Sequence, residues 1–144
     1  MPYEDVLAAV PLFSQLGRKD LSRLGRAVVE RKFKKGETIV NEGEQSVAFF
    51  MLTTGRVAAV RGDGSKRSDK LNEIGAGGFF GEMGLIDGAT RSASIKALED
   101  TECLALSRWD FMAELHTNPQ MAVAMLPVLT QRVRELNVRL GERD

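Results

Sequence analysis

The spacing of hydrophobic and polar positions changes twice along the chain. From Tyr3 to about Glu30, apolar residues recur every three or four positions, which is the period of an amphipathic helix. Gly17 provides a stop signal and Asp20 a start signal, so we predict two short helices in this segment rather than one. The apolar positions that define the period are Leu12, Leu16, Leu21, Leu24 and Val28.

Glycines interrupt residues 31–107 at short intervals, and the segments between them favour β-structure. Short strands separated by regular turn signals are typical of a sandwich or barrel. Thr54-Gly55 stands between two such segments and predicts a hairpin turn. The predicted strands are Glu37–Val40, Ala48–Thr53, Arg56–Arg61, Lys70–Ile74, Ser92–Ala97 and Glu102–Ser107.

Residues 108–140 return to a helical pattern. Ser107 is the predicted N-cap of a helix from Arg108 to His116, and Asn118-Pro119 is the predicted N-cap and first residue of a last helix. Pro127 is expected to bend or divide that helix.

The last helix carries an apolar series with the spacing of two heptads. Such a series fits two interpretations, a seam between two copies of the chain or a face that covers the chain's own barrel, and the sequence leaves both open. The series comprises Leu126, Leu129, Val133, Leu136 and Leu140.

Composition and charge limit the classes of partner. With 144 residues, 43% of them hydrophobic, the chain is long enough for one domain with a substantial core. Lysine plus arginine equals aspartate plus glutamate, 20 against 20, so no net charge attracts nucleic acid or an anionic membrane. The chain ends soon after the last predicted helix, and we expect no nucleic-acid binding by this chain alone.

Cysteine and histidine usage points to the compartment and argues against a metal site. Cys103 and His116 are the only residues of their types, too few for a structural zinc or iron–sulfur site. No apolar run approaches the length of about 20 residues that spans a membrane, and the N-terminus lacks the basic start of a signal peptide. We therefore expect a cytoplasmic protein without a metal, a membrane anchor or a disulfide.

The segment from Gly77 to Ala97 carries the candidate chemistry. Arg91 follows Glu82 by nine residues; a guanidinium matches two phosphate oxygens, and a carboxylate accepts a hydrogen bond from a hydroxyl group. Gly81 allows a ligand to approach the backbone, and a helical turn beginning at Met83 would offer N–H groups to an anion. The spacing alone fits either an anion site or an exposed surface pair of opposite charges.

Two motifs within this segment, Phe80–Leu85 (FGEMGL) and Arg91–Ala93 (RSA), resemble the phosphate-binding cassette of cyclic-nucleotide-binding domains. That family includes the bacterial catabolite activator protein, the regulatory subunits of cyclic-AMP-dependent protein kinase and gated channels. Lys35–Ile39 resembles the family's first turns, and Phe50–Leu52 with Gly55–Val57 resembles its central hairpin. These motifs occur in the family's order across nearly the whole chain.

The resemblance implies a fold that is mainly β with flanking helices. We expect one domain, residues 1–144, built as an eight-stranded jelly-roll β-barrel. In this arrangement the N-terminal helices occupy residues 1–30, the barrel residues 31–107 with the cassette at 79–93, and the C-terminal helices residues 108–140.

The resemblance also implies roles for individual residues. Glu82 would accept a hydrogen bond from the ribose 2′-hydroxyl, Arg91 would bind the cyclic phosphate, and nearby backbone N–H groups would add phosphate contacts. By position on the last helix, Leu136 and Asn137 would face the base. The expected ligand-binding residues are Gly81, Glu82, Met83, Arg91, Ser92, Ala93, Leu136 and Asn137.

The function that follows is that of a cyclic-nucleotide sensor acting on a downstream protein through movement of its C-terminal helix. Cyclic AMP is expected over cyclic GMP, because the cassette most resembles the bacterial activator type. Catalysis is not expected, since the sequence offers no nucleophile–base or metal constellation. Two alternatives remain: a nucleotide-independent dimerisation or interaction module, and the sensor domain of a larger transcription regulator.

Overall fold

The computed structural model describes residues 3–62 and 69–141. These divide into two compact units, and each of the two boundaries falls inside a helix. The strand unit runs from Ala27 to Met112, and the helical unit takes in the described residues up to Arg26 and from Ala113 onward. The helices are α1 (Glu4–Ala8), a 3₁₀ turn (Pro11–Phe13), α2 (Arg18–Ala27), α3 (Gly84–Asp87), α4 (Arg108–Thr117) and α5 (Gln120–Arg139). The strands are β1 (Val29–Phe33), β2 (Thr38–Val40), β3 (Ala48–Thr54), β4 (Arg56–Arg61), β5 (Asp69–Gly75), β6 (Phe79–Phe80), β7 (Ser94–Ala97) and β8 (Thr101–Ser107).

The eight strands form two four-stranded antiparallel sheets. Their orders are β1-β8-β3-β6 and β2-β7-β4-β5, so each sheet takes strands from both ends of the sequence. This is the jelly-roll connectivity, and it confirms the expected eight-stranded fold with flanking helices.

The core of the strand unit draws apolar side chains from both sheets. Side chains alternate between the two faces of a strand, so each sheet presents one apolar face. Burying these faces against each other stabilises the fold by roughly 25 cal/mol per Å² of apolar surface. The core consists of Phe33, Phe50, Leu52, Val57, Ala59, Phe80, Ile95, Ala97, Cys103 and Ala105.

Two strands are absent from the sequence prediction. In β1 only Phe33 is buried, so the segment has almost no apolar alternation to reveal it. The β6 strand has two residues, fewer than any periodicity can detect. Both are held by pairing with distant strands, β1 with β8 and β6 with β3.

The prediction of a hairpin at Thr54-Gly55 is wrong. The strands on either side, β3 and β4, belong to different sheets, so Gly55 marks a corner between sheets. Gly55 has φ +92°, and a side chain there would collide with the backbone of Asp100 and Thr101. The turn at Gly55 therefore changes the direction of the chain, but the strands on its two sides do not pair with each other.

The helical unit begins with three short elements where two were predicted, because Pro11–Phe13 forms its own 3₁₀ turn. The second predicted helix begins at Arg18, two residues before the expected start at Asp20. Asp20 lies in its first turn, where it accepts a hydrogen bond from Arg23 at 2.7 Å and from Gln120 at 3.4 Å.

The helices after the last strand begin in different ways. Ser107 caps α4 as predicted, because its Oγ accepts a hydrogen bond from the backbone N–H of Asp110 at 3.0 Å. Asn118 does not cap α5; its side chain turns back and donates to the Glu114 carboxylate at 3.2 Å, so that prediction is wrong. Helix α5 is not divided at Pro127. Among the described residues, no helix is long and apolar enough to cross a membrane.

The apolar series on α5 is largely exposed. The fractions of exposed surface run from 53% at Leu136 to 73% at Leu140, with Leu126 and Val133 between them, and Leu129 is half-buried. Most of this series is therefore open to solvent in the single chain.

Candidate functional site

A pocket of about 480 Å³ lies in the strand unit. Its volume is in the range usual for small-molecule sites. The six cassette residues predicted to bind a ligand all line it: Gly81, Glu82, Met83, Arg91, Ser92 and Ala93.

The main chain of Arg91 is fixed to a turn near β2. Its N–H donates to the carbonyl oxygen of Glu44 at 2.7 Å, and its own carbonyl accepts from the N–H of Gly43 at 2.9 Å. These two bonds hold the start of the Arg91 side chain at one place in the pocket wall.

The guanidinium of Arg91 is half-buried, and its Nη2 donates to the carbonyl oxygen of Ala48 at 2.5 Å. Burial lowers the pKa of this group, and the negative charge of Glu44 offsets part of that shift. A partly desolvated cation that faces a pocket favours an anionic ligand. This burial supports the anion site over the exposed surface pair.

Gly81 allows the guanidinium to lie close to the backbone. Its φ is +87°, and a Cβ there would overlap Nη1 of Arg91 and lie 3.2 Å from the carbonyl oxygen of Ala48. Only glycine adopts this backbone angle without strain and leaves the space that Arg91 occupies.

Glu82 is positioned by the strand before it. The rings of Phe50 on β3 and Phe80 on β6 stack with centroids 5.0 Å apart, which fixes β6 and the residues that follow it. Glu82 is half-buried, and its Oε2 atom is buried. A carboxylate and a guanidinium thus share one pocket, as the chemistry of a phosphate beside a hydroxyl requires.

The remaining predicted site residues differ in position. Ser92 and Met83 are exposed at the pocket, and Ala93 is half-buried. Leu136 and Asn137 lie on α5 in the helical unit, and their contact with a base stays a prediction.

The sequence analysis missed one wall of the pocket. This wall is formed by strands on the second sheet, where an apolar surface carries one polar side chain. The alternation of side chains along β5 could have indicated this wall, because residues two apart in a strand share a face. The residues of this wall are Ala59, Asn72, Ile74 and Ile95.

The analysis also missed a link from α3 to α4. Nη2 of Arg108, the first residue of α4, donates to the carbonyl oxygen of Ile86 at 3.1 Å. The same guanidinium packs over Gly88, which ends α3 in the left-handed conformation. Arg108 therefore joins the cassette helix to the helix that follows the strands.

No group of three or more histidine, cysteine, aspartate or glutamate side chains within residues 3–62 and 69–141 is arranged to hold a metal ion. The chemistry of the pocket rests on its guanidinium, carboxylate, hydroxyl and amide groups.

Residues 30–118 match the family model described as the cyclic nucleotide-binding domain. The chain is 33% identical over 130 residues to the cyclic AMP receptor protein of Thermus thermophilus, covering 90% of this chain and 60% of that protein. It is 32% identical over 142 residues to a cAMP-dependent protein kinase regulatory subunit of Hypocrea atroviridis, covering 99% of this chain and 28% of that protein.

Among solved structures, the chain is similar to the N-terminal domain of a transcriptional regulator from Streptomyces coelicolor A3(2). The TM-score is 0.83 at 29% identity, over 94% of this chain and 95% of that one. The chain spans less than two thirds of the length of the curated relatives described above.

Proposed function

The chain belongs to the cyclic nucleotide-binding domain family, and on that premise we propose that its pocket binds a cyclic nucleotide, with cyclic AMP preferred. Arg91 binds the cyclic phosphate and Glu82 accepts from the ribose 2′-hydroxyl. Backbone and side-chain groups at Gly81, Met83, Ser92 and Ala93 complete the contacts to the ribose and phosphate.

One observation carries this proposal: the half-buried guanidinium of Arg91 shares a pocket with the Glu82 carboxylate. Burial makes the Arg91 charge costly, and a phosphate would compensate that cost with two charge-assisted hydrogen bonds. The carboxylate in the same pocket disfavours a plain anion and favours a ligand that has a hydroxyl next to its phosphate.

Isothermal titration calorimetry of the purified chain with cyclic AMP and with cyclic GMP tests the proposal. We expect Arg91→Ala to lose roughly 2–5 kcal/mol of binding, about 30-fold to several-thousand-fold in affinity. Arg31→Ala is the matched control, because Arg31 lies on β1 and does not line the pocket. Folded wild-type protein that binds neither nucleotide, or an Arg91→Ala variant that retains wild-type affinity, would refute the proposal.

The binding would serve regulation, with no reaction catalysed by this chain. Ligand would order α3, and the change would reach a downstream protein through the C-terminal helix, as a shift between two helix positions. Hydrogen exchange in α5 should slow when ligand is added. Unchanged exchange in α5 at saturating ligand would contradict this route.

A second proposal is that the chain acts as the sensor domain of a larger transcription regulator. The similarity to the Streptomyces coelicolor domain over 95% of that domain supports it. The buried free thiol of Cys103 agrees with a reducing cytoplasm as the compartment.

We also propose a homodimer through α5. The exposed apolar series defined above has the spacing of a two-heptad seam, and a seam of this kind is covered when two helices pair. Sedimentation equilibrium over a range of concentrations measures the association.

A further inference from the structure

Three neighbouring strands form the wall of the pocket that lies on the second sheet. Ala59 on β4 is in register with Ile95 on β7 and, on its other side, with Asn72 on β5. Adjacent strands lie about 4.8 Å apart, so this row extends about 10 Å from the Arg91 side of the pocket toward β5. The small side chain of Ala59 leaves the middle of the row open.

The row is apolar except at its far end. Ile95 and Ala59 are buried and Ile74 is half-buried, whereas Asn72 is exposed at the pocket. Among the described residues that line the pocket, Asn72 alone carries an amide side chain. An apolar surface that ends in one amide matches a flat aromatic ring with a polar edge.

Strand alternation turns Asn72 to the same face of β5 as Ile74, two positions later, and both residues line the pocket. The pairing of β4 with β5 runs from Ala59↔Asn72 to Val60↔Lys70, so β5 has one extra residue at this point. A bulge changes which face the following residues occupy and is common beside binding sites. The bulge lies just before Asn72, and the pairing with β4 is regular from Asn72 to Gly75.

We propose that Asn72 hydrogen-bonds the base of the cyclic nucleotide and makes the site selective for adenine; this inference rests on the proposed function. With the phosphate on Arg91, the base extends along the apolar row to Asn72. Adenine offers an amino donor at N6 beside an acceptor at N7, and an asparagine amide pairs with both. Guanine offers two acceptors there, O6 and N7, so the amide oxygen finds no donor.

Calorimetry with the full chain tests this inference, using cyclic AMP and cyclic GMP with wild type, Asn72→Ala and Asn72→Ser. We expect either variant to bind cyclic AMP roughly 5- to 150-fold more weakly, the range for one bidentate pair. Cyclic GMP affinity should change less than about threefold, so the preference between the two ligands collapses. Thermal unfolding of each variant verifies that the fold is retained.

A ligand lacking the 6-amino group provides the matched control. Purine riboside 3′,5′-cyclic monophosphate should bind wild type more weakly than cyclic AMP does, yet the two should bind Asn72→Ala equally. This double-mutant cycle between protein and ligand isolates the contact from any general effect on the pocket. Arg31→Ala, on β1 and outside the residues that line the pocket, is the control variant and should leave the preference unchanged.

The outcomes separate this inference from the proposed function. If wild type binds neither nucleotide, both fail. If wild type binds cyclic AMP but Asn72→Ala keeps the same ratio of affinities, the assignment of Asn72 is overturned while the proposed function stands. Equal losses for both nucleotides in Asn72→Ala would likewise overturn it.

Discussion

The guanidinium of Arg108 donates to the carbonyl oxygen of Ile86 at 3.1 Å, and this bond ties the first residue of α4 to the last turn of α3. The carbonyls in the last turn of a helix lack partners within the helix, so Arg108 satisfies one of them. We expect Arg108→Ala to lower the free energy of unfolding by about 1.5–3 kcal/mol, the range for a hydrogen bond that involves a charged group.

Urea unfolding measures this loss, with Arg139→Ala on the exposed face of α5 as control. Arg108→Lys keeps the charge but not the planar fork of donors, so its stability should lie between those of wild type and Arg108→Ala. An Arg108→Ala variant with the wild-type urea midpoint would contradict a stabilising role.

Glu82 should be the residue that recognises the ribose hydroxyl. We expect Glu82→Ala to weaken cyclic AMP binding by about 1.5–3 kcal/mol, roughly 10- to 150-fold, which is the usual value for a hydrogen bond to a charged group. The 2′-deoxy analogue lacks this bond and should bind wild type and Glu82→Ala with similar affinity. Additive losses from the mutation and the deoxy ligand would show that Glu82 acts elsewhere.

Gly81 offers a prediction with a close control, because Gly77 shares its backbone angle. Both have positive φ, +87° and +88°, but a Cβ at Gly77 meets nothing within 4 Å, whereas one at Gly81 meets Arg91. Each alanine substitution should cost about 1–3 kcal/mol of folding free energy through backbone strain. Only Gly81→Ala should also weaken ligand binding, as measured by calorimetry; equal affinities in the two variants would be inconsistent with the described position of Arg91.

The apolar series on α5 predicts the effect of charge on association. Val133 belongs to the series and Val138 does not, although both are exposed, by 55% and 74%. Val133→Asp should therefore weaken the homodimer at least tenfold by placing a carboxylate in the seam, while Val138→Asp leaves it unchanged. Sedimentation equilibrium compares the two variants. A wild-type chain that is monomeric at all concentrations would rule out the seam.

Cys103 should make stability fall at alkaline pH. Burial raises the pKa of its thiol from 9.0 to about 11. The folded state keeps the thiol proton of Cys103 to a higher pH than the unfolded state does. The contribution of this residue to the free energy of unfolding is therefore complete below pH 9 and is lost as the pH rises toward 11. The difference in urea midpoint between wild type and Cys103→Ala should shrink over that interval, whereas a constant difference would contradict the raised pKa.

Short apolar segments between turn signals were sufficient to predict β3, β4 and β8, because each of these strands has a continuous run of buried residues. It did not reveal β1 or β6, which depend on partners far away in the chain. Local signals also misled at Gly55, where the chain passes from one sheet to the other, and at Asn118, whose side chain bonds to Glu114 one turn back in α4. Intrinsic secondary-structure propensities do not predict these features, because the features depend on the surrounding structure.

The cassette motif predicted which residues of segment 81–93 line the pocket, because they are close together in sequence. The opposite wall could not be predicted in the same way. Asn72 lies at the pocket because β5 pairs with β4 in the register Ala59↔Asn72. Alternation along β5 indicates that Asn72 and Ile74 share a face, but it does not indicate which strand β5 pairs with or which of its faces lines the pocket.

The sheet order β1-β8-β3-β6 has a consequence for synthesis on the ribosome. Strand β8 lies between β1 and β3, so neither has its full set of hydrogen bonds until residues 101–107 have been made. Phe33 is translated roughly 70 residues before its partner Thr101, a delay of about 4–14 s at usual elongation rates. Through that interval β1 lacks its partner strand, and its charged residues Glu30, Arg31 and Lys32 are of the kind that disfavours association between unpaired strands.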